Sequence, residues 1–584
     1  MDISLSSFRR KLEKKEVLIV LAILLAGLAL RIAYWSQIKE STSMYQHLWP
    51  QTDMNFFYTW ANSIRGGDWL VNKSLHPFAE WQEQLSGKPD EKGYNADSAK
   101  AMWDQWYGEK RFHQEPLYPY FLAVVFKLFG PGVQWVFAIQ CLLGIVSNLL
   151  IYVITRRFFG TATALIAAAI SLLYGPFMFY ESVLLRATLI TFTMLLTAWL
   201  FTIAMDHKKP VYFLLSGLSS GICVVTKSTT FLFILPLVLF LIFHFRADMR
   251  QAARFIGLFA LGIFLATSPF IVRNLIVGVA PLALSSVAAD AIISGNAGDF
   301  IPGTGFSIGR YFVPIMEKAH GNIIPTIYYT LRTHSSVASV IKQLCGKFLV
   351  FWNWYEIPNN INYYYARLYS GLLSHWQITF AALGPVSFFG LFLAARTIKK
   401  TFILYALVFA GILPGLIFYN LSRFRAPAAA ALIPFAAYAL VFLIKRISER
   451  RYAIPVVVAL ISVFLLPLFF LSPPRSEYAV RAVDYRIGNA LCISIGERLI
   501  EYGDLRGAAG QIEAGLRTEP PEVSKIGPGY TVTGDKDRLV RLAESFAKMH
   551  LLYAELNEKL SNNEKADDHY KRASELDSFV KNVH

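Results

Sequence analysis

Charge and cysteine are both scarce in this 584-residue chain. Asp, Glu, Lys and Arg make up 16% of it, against roughly 25% in ordinary soluble domains. The four cysteines are Cys141, Cys223, Cys345 and Cys492, and their spacing matches neither a metal site nor a disulfide framework. Cys345 and Cys492 lie outside the apolar runs and are the only two placed to pair. No small-residue cleavage site follows the basic stretch Phe8-Arg9-Arg10-Lys11 and the apolar run at 17–35. That run therefore reads as a retained first transmembrane helix and not as a signal peptide.

Apolar residues, by contrast, are abundant. They form 55% of the chain, aromatics 15%, and the mean hydropathy is +0.41. They gather into runs of about 18–24 residues, the length that crosses a bilayer core of about 30 Å. The expected fold is all-α and polytopic, with eleven membrane helices near 17–37, 132–155, 159–179, 182–205, 211–226, 229–246, 254–274, 377–396, 402–420, 427–445 and 454–472. A net charge of +16 raises the question of nucleic acid, but the basic residues sit in alternate connections, at 9–15, 156–157, 207–209, 246–254, 396–400 and 445–451. This is the positive-inside pattern of a membrane protein. It predicts membrane lipids rather than nucleic acid as partners, a cytoplasmic N-terminus and an extracytoplasmic C-terminus. Residues 1–472 then form the membrane domain, with outer loops at about 38–131 and 275–376, and 473–584 forms an outer tail. The tail carries Ile495-Gly496, Tyr502-Gly503, Ala508-Ala509 and Pro520, then a second set at Leu552, Tyr553, Leu556, Ala566, Tyr570 and Ala573. These positions fit two tetratricopeptide-like helix pairs.

An enzyme facing away from the cytoplasm has no nucleotide pool and must use a preactivated donor, such as a polyprenyl-phosphate sugar. Sugar transfer from such a donor needs a carboxylate to take the acceptor proton, cations for the leaving phosphate and a groove for the lipid. Asp53 lies in Gln51-Thr52-Asp53-Met54-Asn55, about 15 residues past the first helix, with Tyr58, Ala61 and Ile64 following at helical spacing. Asp is also a common helix N-cap, which is the structural alternative for this residue. Arg186, Lys227, Arg273, Arg423 and Arg425 all fall near outer helix ends, against the positive-inside rule. A shared phosphate ligand explains five cations on one face, and lipid headgroups are the alternative. Arg273 and Arg425 are the first choices, because guanidinium grips phosphate with two parallel bonds. In the second outer loop, Trp352-Asn353-Trp354-Tyr355-Glu356 offers aromatics for stacking on a sugar and a further carboxylate, Glu356. An interfacial aromatic belt and a loop cap are the alternatives. The first outer loop has no paired acidic motif, so the sequence calls for no metal or other cofactor. Asp535-Lys536-Asp537 has the DxD form, but no strand-rich nucleotide-sugar domain accompanies it.

The first loop ends in Arg111-Phe112-His113-Gln114-Glu115-Pro116-Leu117-Tyr118-Pro119 and Leu128-Phe129-Gly130. An Asp early in this loop, followed by Pro-Leu-Tyr-Pro and Leu-Phe-Gly, resembles glycosyltransferase family 39, which holds the protein O-mannosyltransferases and the lipid A aminoarabinose transferases. Further motifs follow in the same order: Phe179-Tyr180-Glu181, Leu184-Leu185-Arg186, Thr226-Lys227, Pro269 with Arg273-Asn274, Ser294-Gly295-Asn296, and Arg423-Phe424-Arg425-Ala426-Pro427. The resemblance covers most of 17–445. It implies the C-class (GT-C) fold, with Asp53 as catalytic base and Glu115 as a second catalytic carboxylate. Beside it, Arg186, Lys227, Arg273, Arg423 and Arg425 are the expected donor-phosphate contacts, and Tyr58, His113, Glu181, Asn296, Trp354 and Glu356 the expected substrate contacts. His113 resembles the His before the double Pro of the mannosyltransferases, although here only one Pro follows. Glu115 stands where the aminoarabinose branch commonly has a Lys. The Trp-Trp-Asp motif of N-linked oligosaccharyltransferases is absent.

The expected function is inverting transfer of a sugar from a polyprenyl-phosphate donor to a protein, lipid or glycan acceptor. The Arg-Asn and Gly-Asn motifs resemble bacterial members, which implies a bacterial inner membrane. Two readings from other classes compete. A lipid or solute transporter would show internal repeats meeting at the bilayer midplane, and no matching halves are visible. A membrane scaffold recruiting partners through the tail leaves Asp53 and the outer cations unexplained.

Overall fold

The computed structural model describes residues 14–50, 52–72, 104–306, 308–375, 377–470, 482–527, 530, 532 and 535–583. The first basic segment up to residue 13, the middle of the first outer loop at 73–103 and the Ser472-Pro473-Pro474 junction lie outside them. The regular secondary structure of the described residues is helical, apart from one isolated bridge, Tyr174 with Ile378.

In chain order the main helices are α1 (Lys14–Ile38), α2 (Asp53–Arg65), α3 (Leu117–Phe129), α4 (Val133–Phe159), α5 (Thr161–Leu173), α6 (Gly175–Glu181), α7 (Ala187–His207), α8 (Pro210–Thr226), α9 (Phe231–His244), α10 (Met249–Ile276) and α11 (Ala288–Asn296). There follow α12 (Phe312–Ala319), α13 (Ile323–Leu331), α14 (Val337–Trp352), α15 (Phe380–Ala394), α16 (Ile398–Ile417), α17 (Ser422–Ser448) and α18 (Ala453–Phe470). The tail adds α19 (Ala482–Glu501), α20 (Leu505–Leu516), α21 (Lys536–Lys559) and α22 (Asn563–Val583). Among the described residues, six stretches are long and apolar enough to cross a membrane: α1, α4, α7, α10, the α15–α16 pair and α17. The apolar helices α3, α5, α8 and α9 are shorter. The protein is thus an all-helical polytopic membrane protein. Helix α3 was not among the expected helices. Its 13 residues span only about 20 Å at 1.5 Å per residue, too short to register as a crossing.

The chain divides into two compact units. The first comprises Met1–Arg31, Thr59–Ile357 and Gln377–Pro473. Its core is the alanine-rich middle of α17, where Ala428 to Ala431 are fully buried among side chains of α5, α7, α15 and α16. Helices α8 and α10 meet backbone to backbone: a Cβ on Gly217 would stand 2.0 Å from Phe259 O, and one on Gly262 would stand 2.2 Å from Leu214 O. Small residues at such crossings are how helices associate where lipid supplies no hydrophobic drive.

The second unit comprises Ile32–Tyr58, Pro358–Trp376 and Pro474–His584. Its tail forms two helical hairpins, α19 with α20 and α21 with α22. Ala508, Ile512, Tyr553 and Leu576 are buried in their shared core together with Tyr365 from the second outer loop. The Asp535 carboxylate accepts the Arg538 N–H at 3.0 Å and so caps α21, which accounts for the first acid of the DxD-like triplet. All four cysteines are free thiols: Cys345 is exposed, Cys223 and Cys492 are buried and Cys141 is half-buried, so the suggested Cys345–Cys492 pair does not form.

Candidate functional site

The motif segment 113–118 is built into the first unit by its backbone. His113 O accepts the Ser286 N–H at 3.2 Å and the Ser285 hydroxyl at 3.2 Å, and Pro116 starts α3. The Tyr118 hydroxyl donates to Gln140 Oε1 at 2.9 Å, and Gln140 Nε2 donates to the carbonyls of Glu181 and Val183, both at 2.9 Å. This chain of bonds fixes the tight turn that delivers Arg186 to the start of α7. Gln140 was not anticipated, although an amide in the middle of an apolar run is a signal, since burying it without partners costs roughly 2–7 kcal/mol.

Arg186 donates to Gln114 Oε1 at 2.6 Å and to Thr226 O at 3.1 Å, and it pairs with the Glu115 carboxylate. Glu115 also accepts the Ser228 N–H at 2.7 Å and the Ser228 hydroxyl at 2.6 Å. Burial alone would raise the Glu115 carboxyl, but Arg186, Lys227 and Ser228 together pull it down to about 2. A general base works best with a pKa near the operating pH, so this environment suits Glu115 to hold Arg186 and Ser228 and not to take a proton. Lys227 follows α8 in an extended conformation and places its ammonium 3.6 Å from the centroid of the Phe424 ring. The Arg423 guanidinium lies 5.2 Å from the same ring. Three of the five expected cations are thereby gathered around Glu115 and Phe424.

Arg273 and Arg425, the first choices for a phosphate grip, both bond backbone carbonyls. Buried Arg273 donates to the carbonyls of Leu70 at 2.8 Å, Val71 at 3.0 Å and Lys110 at 2.8 Å, and lies 4.1 Å from the Phe112 ring centroid. It therefore ties together two separate stretches of the first outer loop. Its neighbour Asn274 donates to Pro281 O and Ala283 O, both at 3.1 Å, and holds the turn after α10. Buried Arg425 donates to the carbonyls of Phe351 at 3.2 Å, Asn353 at 2.5 Å and Tyr355 at 2.9 Å. It also pairs with Glu356 at 2.8 Å, which in turn accepts the Ser422 hydroxyl at 2.5 Å. These bonds use the guanidinium edges by which a phosphate would be held.

The remaining expected residues are dispersed. Glu181 is buried in a bidentate pair with Arg31 of α1, both contacts 2.6 Å. Gly144 leaves room for this pair, because a Cβ there would lie 1.8 Å from Glu181 Oε1. Asn296 bonds Ile417 O at 2.8 Å and accepts the Lys347 ammonium at 2.7 Å. The Trp354 N–H donates to Phe469 O at 2.9 Å. In the second unit, Tyr58 packs its ring 4.5 Å from His47. Asp53, half-buried there, is the first residue of α2. Its N-cap is Thr52, whose hydroxyl oxygen accepts the Asn55 N–H at 3.3 Å. The capping bond to Asn55 thus comes from its neighbour.

One unanticipated acid stands out. Asp290 of α11 is buried, accepts the Tyr107 hydroxyl at 2.9 Å, and its other oxygen makes no hydrogen bond. The Tyr107 ring packs edge-on against His113, with 5.4 Å between centroids. Burial pushes the Asp290 carboxyl up from 3.8 to about 7, with the Tyr107 bond opposing. The folded protein therefore holds this proton over a pH range in which the unfolded chain has lost it. Stability falls as pH rises from about 4 to 7, and the full penalty applies above 7. Asp290→Asn lacks this penalty and can still accept from Tyr107. Its stabilisation relative to the parent should be larger at pH 8 than at pH 5 by roughly 2.5 kcal/mol, at about 1.36 kcal/mol per pKa unit. Thermal unfolding at the two pH values measures this, and equal shifts would refute a buried, proton-retaining Asp290.

The sequence model of a family described as dolichyl-phosphate-mannose-protein mannosyltransferase matches residues 113–272, a stretch that holds Glu115, Glu181, Arg186 and Lys227. No curated protein matches the chain. Among solved structures it is similar to the oligosaccharyltransferase AglB of Archaeoglobus fulgidus in complex with an inhibitory peptide and a dolichol-phosphate, at 13% identity and a TM-score of 0.42, over 84% of this chain and 59% of AglB. The chain thus spans about three fifths of AglB's length. It is also similar to ArnT of Cupriavidus metallidurans bound to undecaprenyl phosphate, at 14% identity and a TM-score of 0.41, over 90% of this chain and 84% of ArnT. The matched stretch is 160 of the 584 residues, so the chain is a polytopic membrane protein that resembles this glycosyltransferase family over that segment.

Proposed function

We propose that this protein transfers a sugar from a polyprenyl-phosphate carrier to an acceptor on the extracytoplasmic side of the membrane, with inversion at the anomeric carbon. The supporting observation is the grouping of Arg186, Lys227 and Arg423 around Glu115 and Phe424, at helix ends that the charge pattern puts on the outer face. In the reaction Asp53 takes the acceptor hydroxyl proton, and the acceptor oxygen attacks the anomeric carbon from the face opposite the phosphate. The bond from that carbon to the phosphate oxygen breaks, and the carrier phosphate leaves with the electron pair. Arg186, Lys227 and Arg423 stabilise its charge, while Glu115 orients Arg186. The acceptor is a protein, a lipid or a glycan. The topology that goes with this reading has eleven crossings, a cytoplasmic N-terminus and an outer tail of two tetratricopeptide-like hairpins.

The test is a purified-protein assay with defined polyprenyl-phosphate sugars, comparing the parent with Arg186→Lys. Lysine keeps the charge and loses the planar fork. The donor KM should rise at least about tenfold, since a hydrogen bond to a charged group contributes about 1.5–3 kcal/mol. A folded Arg186→Lys protein with the parent's donor KM and kcat would remove Arg186 from donor binding.

A further inference from the structure

A helix that packs on a protein core and faces water buries its apolar side. Helix α13, and α14 as far as Leu349, reverse this order, while the last turn of α14 buries Val350, Phe351 and Trp352. Helix α14 buries Gln343 and Lys347 and exposes Val337, Ile341, Leu344, Phe348 and Leu349. The buried polar groups are well used. Lys347 Nζ donates to Asn296 Oδ1 at 2.7 Å and Leu416 O at 3.1 Å, and Gln343 Nε2 donates to Ala297 O at 2.9 Å. Both thus cover the carbonyl ends of α11 and α16, where donors and positive charge are favoured. Helix α13 likewise buries Thr326 and Thr330 and turns Ile323, Ile324, Ile327, Tyr328 and Leu331 outward, with Ile324 81% exposed. Apolar helix faces this large on a soluble surface mark an interaction site.

What lies next to these helices identifies the occupant. Helix α14 packs on α16, part of a membrane-length stretch, and on α18. The chain reaches this region from α10, another membrane-length helix, whose last turn exposes Val272, Leu275 and Ile276. The outward face of α14 therefore continues the apolar exterior of helices that already require lipid around them. Exposed Arg332 and Lys342 border the face, as cations do where their stems lie on acyl chains and their charges reach headgroups. We propose that α13 and α14, read from the sequence as part of an aqueous loop, lie in the membrane surface with this face in the acyl region of one leaflet.

Cys345 sits on the exposed face of α14 and is the one exposed thiol of the four cysteines, Cys141 being half-buried and the other two buried, so it accepts a probe without mutation. The full chain, labelled there with a bimane maleimide and placed in vesicles of phosphatidylcholine with phosphatidylglycerol, is measured with lipids brominated near the acyl-chain top and with aqueous iodide. Brominated lipid should quench the probe at least twofold, and iodide should have little effect. The reference is a probe at Glu317→Cys on α12, an exposed polar position, in a Cys345→Ser background, and it should show the reverse order. If that reference does not fold, a nitroxide on Cys345 gives the same answer unaided: oxygen should reach it more readily than a water-soluble nickel chelate. Strong iodide quenching with none from brominated lipid would overturn the proposal. So would protection from both quenchers that depends on protein density in the vesicle, because it would assign the face to a second copy.

Discussion

Asp53→Asn should lower turnover by about 10²–10⁴-fold, the contribution of a positioned general base, in a protein that still folds and still binds donor. Three features make this substitution discriminating. The side chains are close in size, so packing is preserved. The helix cap is Thr52, so α2 keeps its N-terminal bond to Asn55 N–H. By position Asp53 places its charge in the first turn of α2, a contribution of about 0.3–1 kcal/mol at an exposed site and up to about 2 kcal/mol at a partly buried one. A structural role thus predicts a small loss of stability with turnover intact, and the base role predicts the opposite. Single-turnover transfer with donor saturating separates the chemical step from binding. Full activity in well-folded Asp53→Asn would rule Asp53 out as the base and pass the test to Glu356. Glu115 is a poor substitute, since its neighbours hold it near pKa 2.

The sequence made the helices legible because apolar runs of membrane length leave little choice of structure: a lipid-facing backbone must bond to itself. It was less informative about what the polar residues do. Arg273 and Arg425 were visible as cations at helix ends, and that position fits two roles equally well. Their partners are carbonyls of Leu70, Val71 and Lys110 in one case and of Phe351, Asn353 and Tyr355 in the other. A backbone carbonyl has no residue identity to read. The Arg31–Glu181 pair is 150 positions apart, although Arg31 inside the first apolar run was itself a signal, because a membrane charge needs a partner. Asp290 carried no signal beyond its apolar neighbours. Helices α13 and α14 fall inside the expected outer loop at about 275–376, where Lys342 and Lys347 interrupt the apolar residues of α14. Only the folded chain shows that Lys347 points inward.

Arg425→Met should cost about 3–5 kcal/mol of stability, the range for removing one partner of a buried ion pair, while leaving donor affinity in the folded fraction unchanged. The substitution keeps much of the volume over the Phe380 ring, whose centroid lies 4.0 Å from the guanidinium. It removes the donors to three carbonyls and the countercharge of Glu356, itself 1% exposed. The larger part of the loss comes from that stranded carboxylate, so a second change can recover it. Arg425→Met with Glu356→Gln should regain a substantial share, because the amide is neutral and can still accept the Ser422 hydroxyl, whereas Glu356→Gln alone leaves a buried guanidinium without its countercharge. A coupling energy of at least about 1.5 kcal/mol in this cycle is expected for contacting residues. Unfolding of the four proteins measures stability, and donor KM in those that fold measures binding. Near-parental stability in Arg425→Met together with a donor KM raised tenfold or more would reverse the assignment. Arg425 would then be a phosphate ligand, and its bonds to the 351–356 segment would be incidental to the fold.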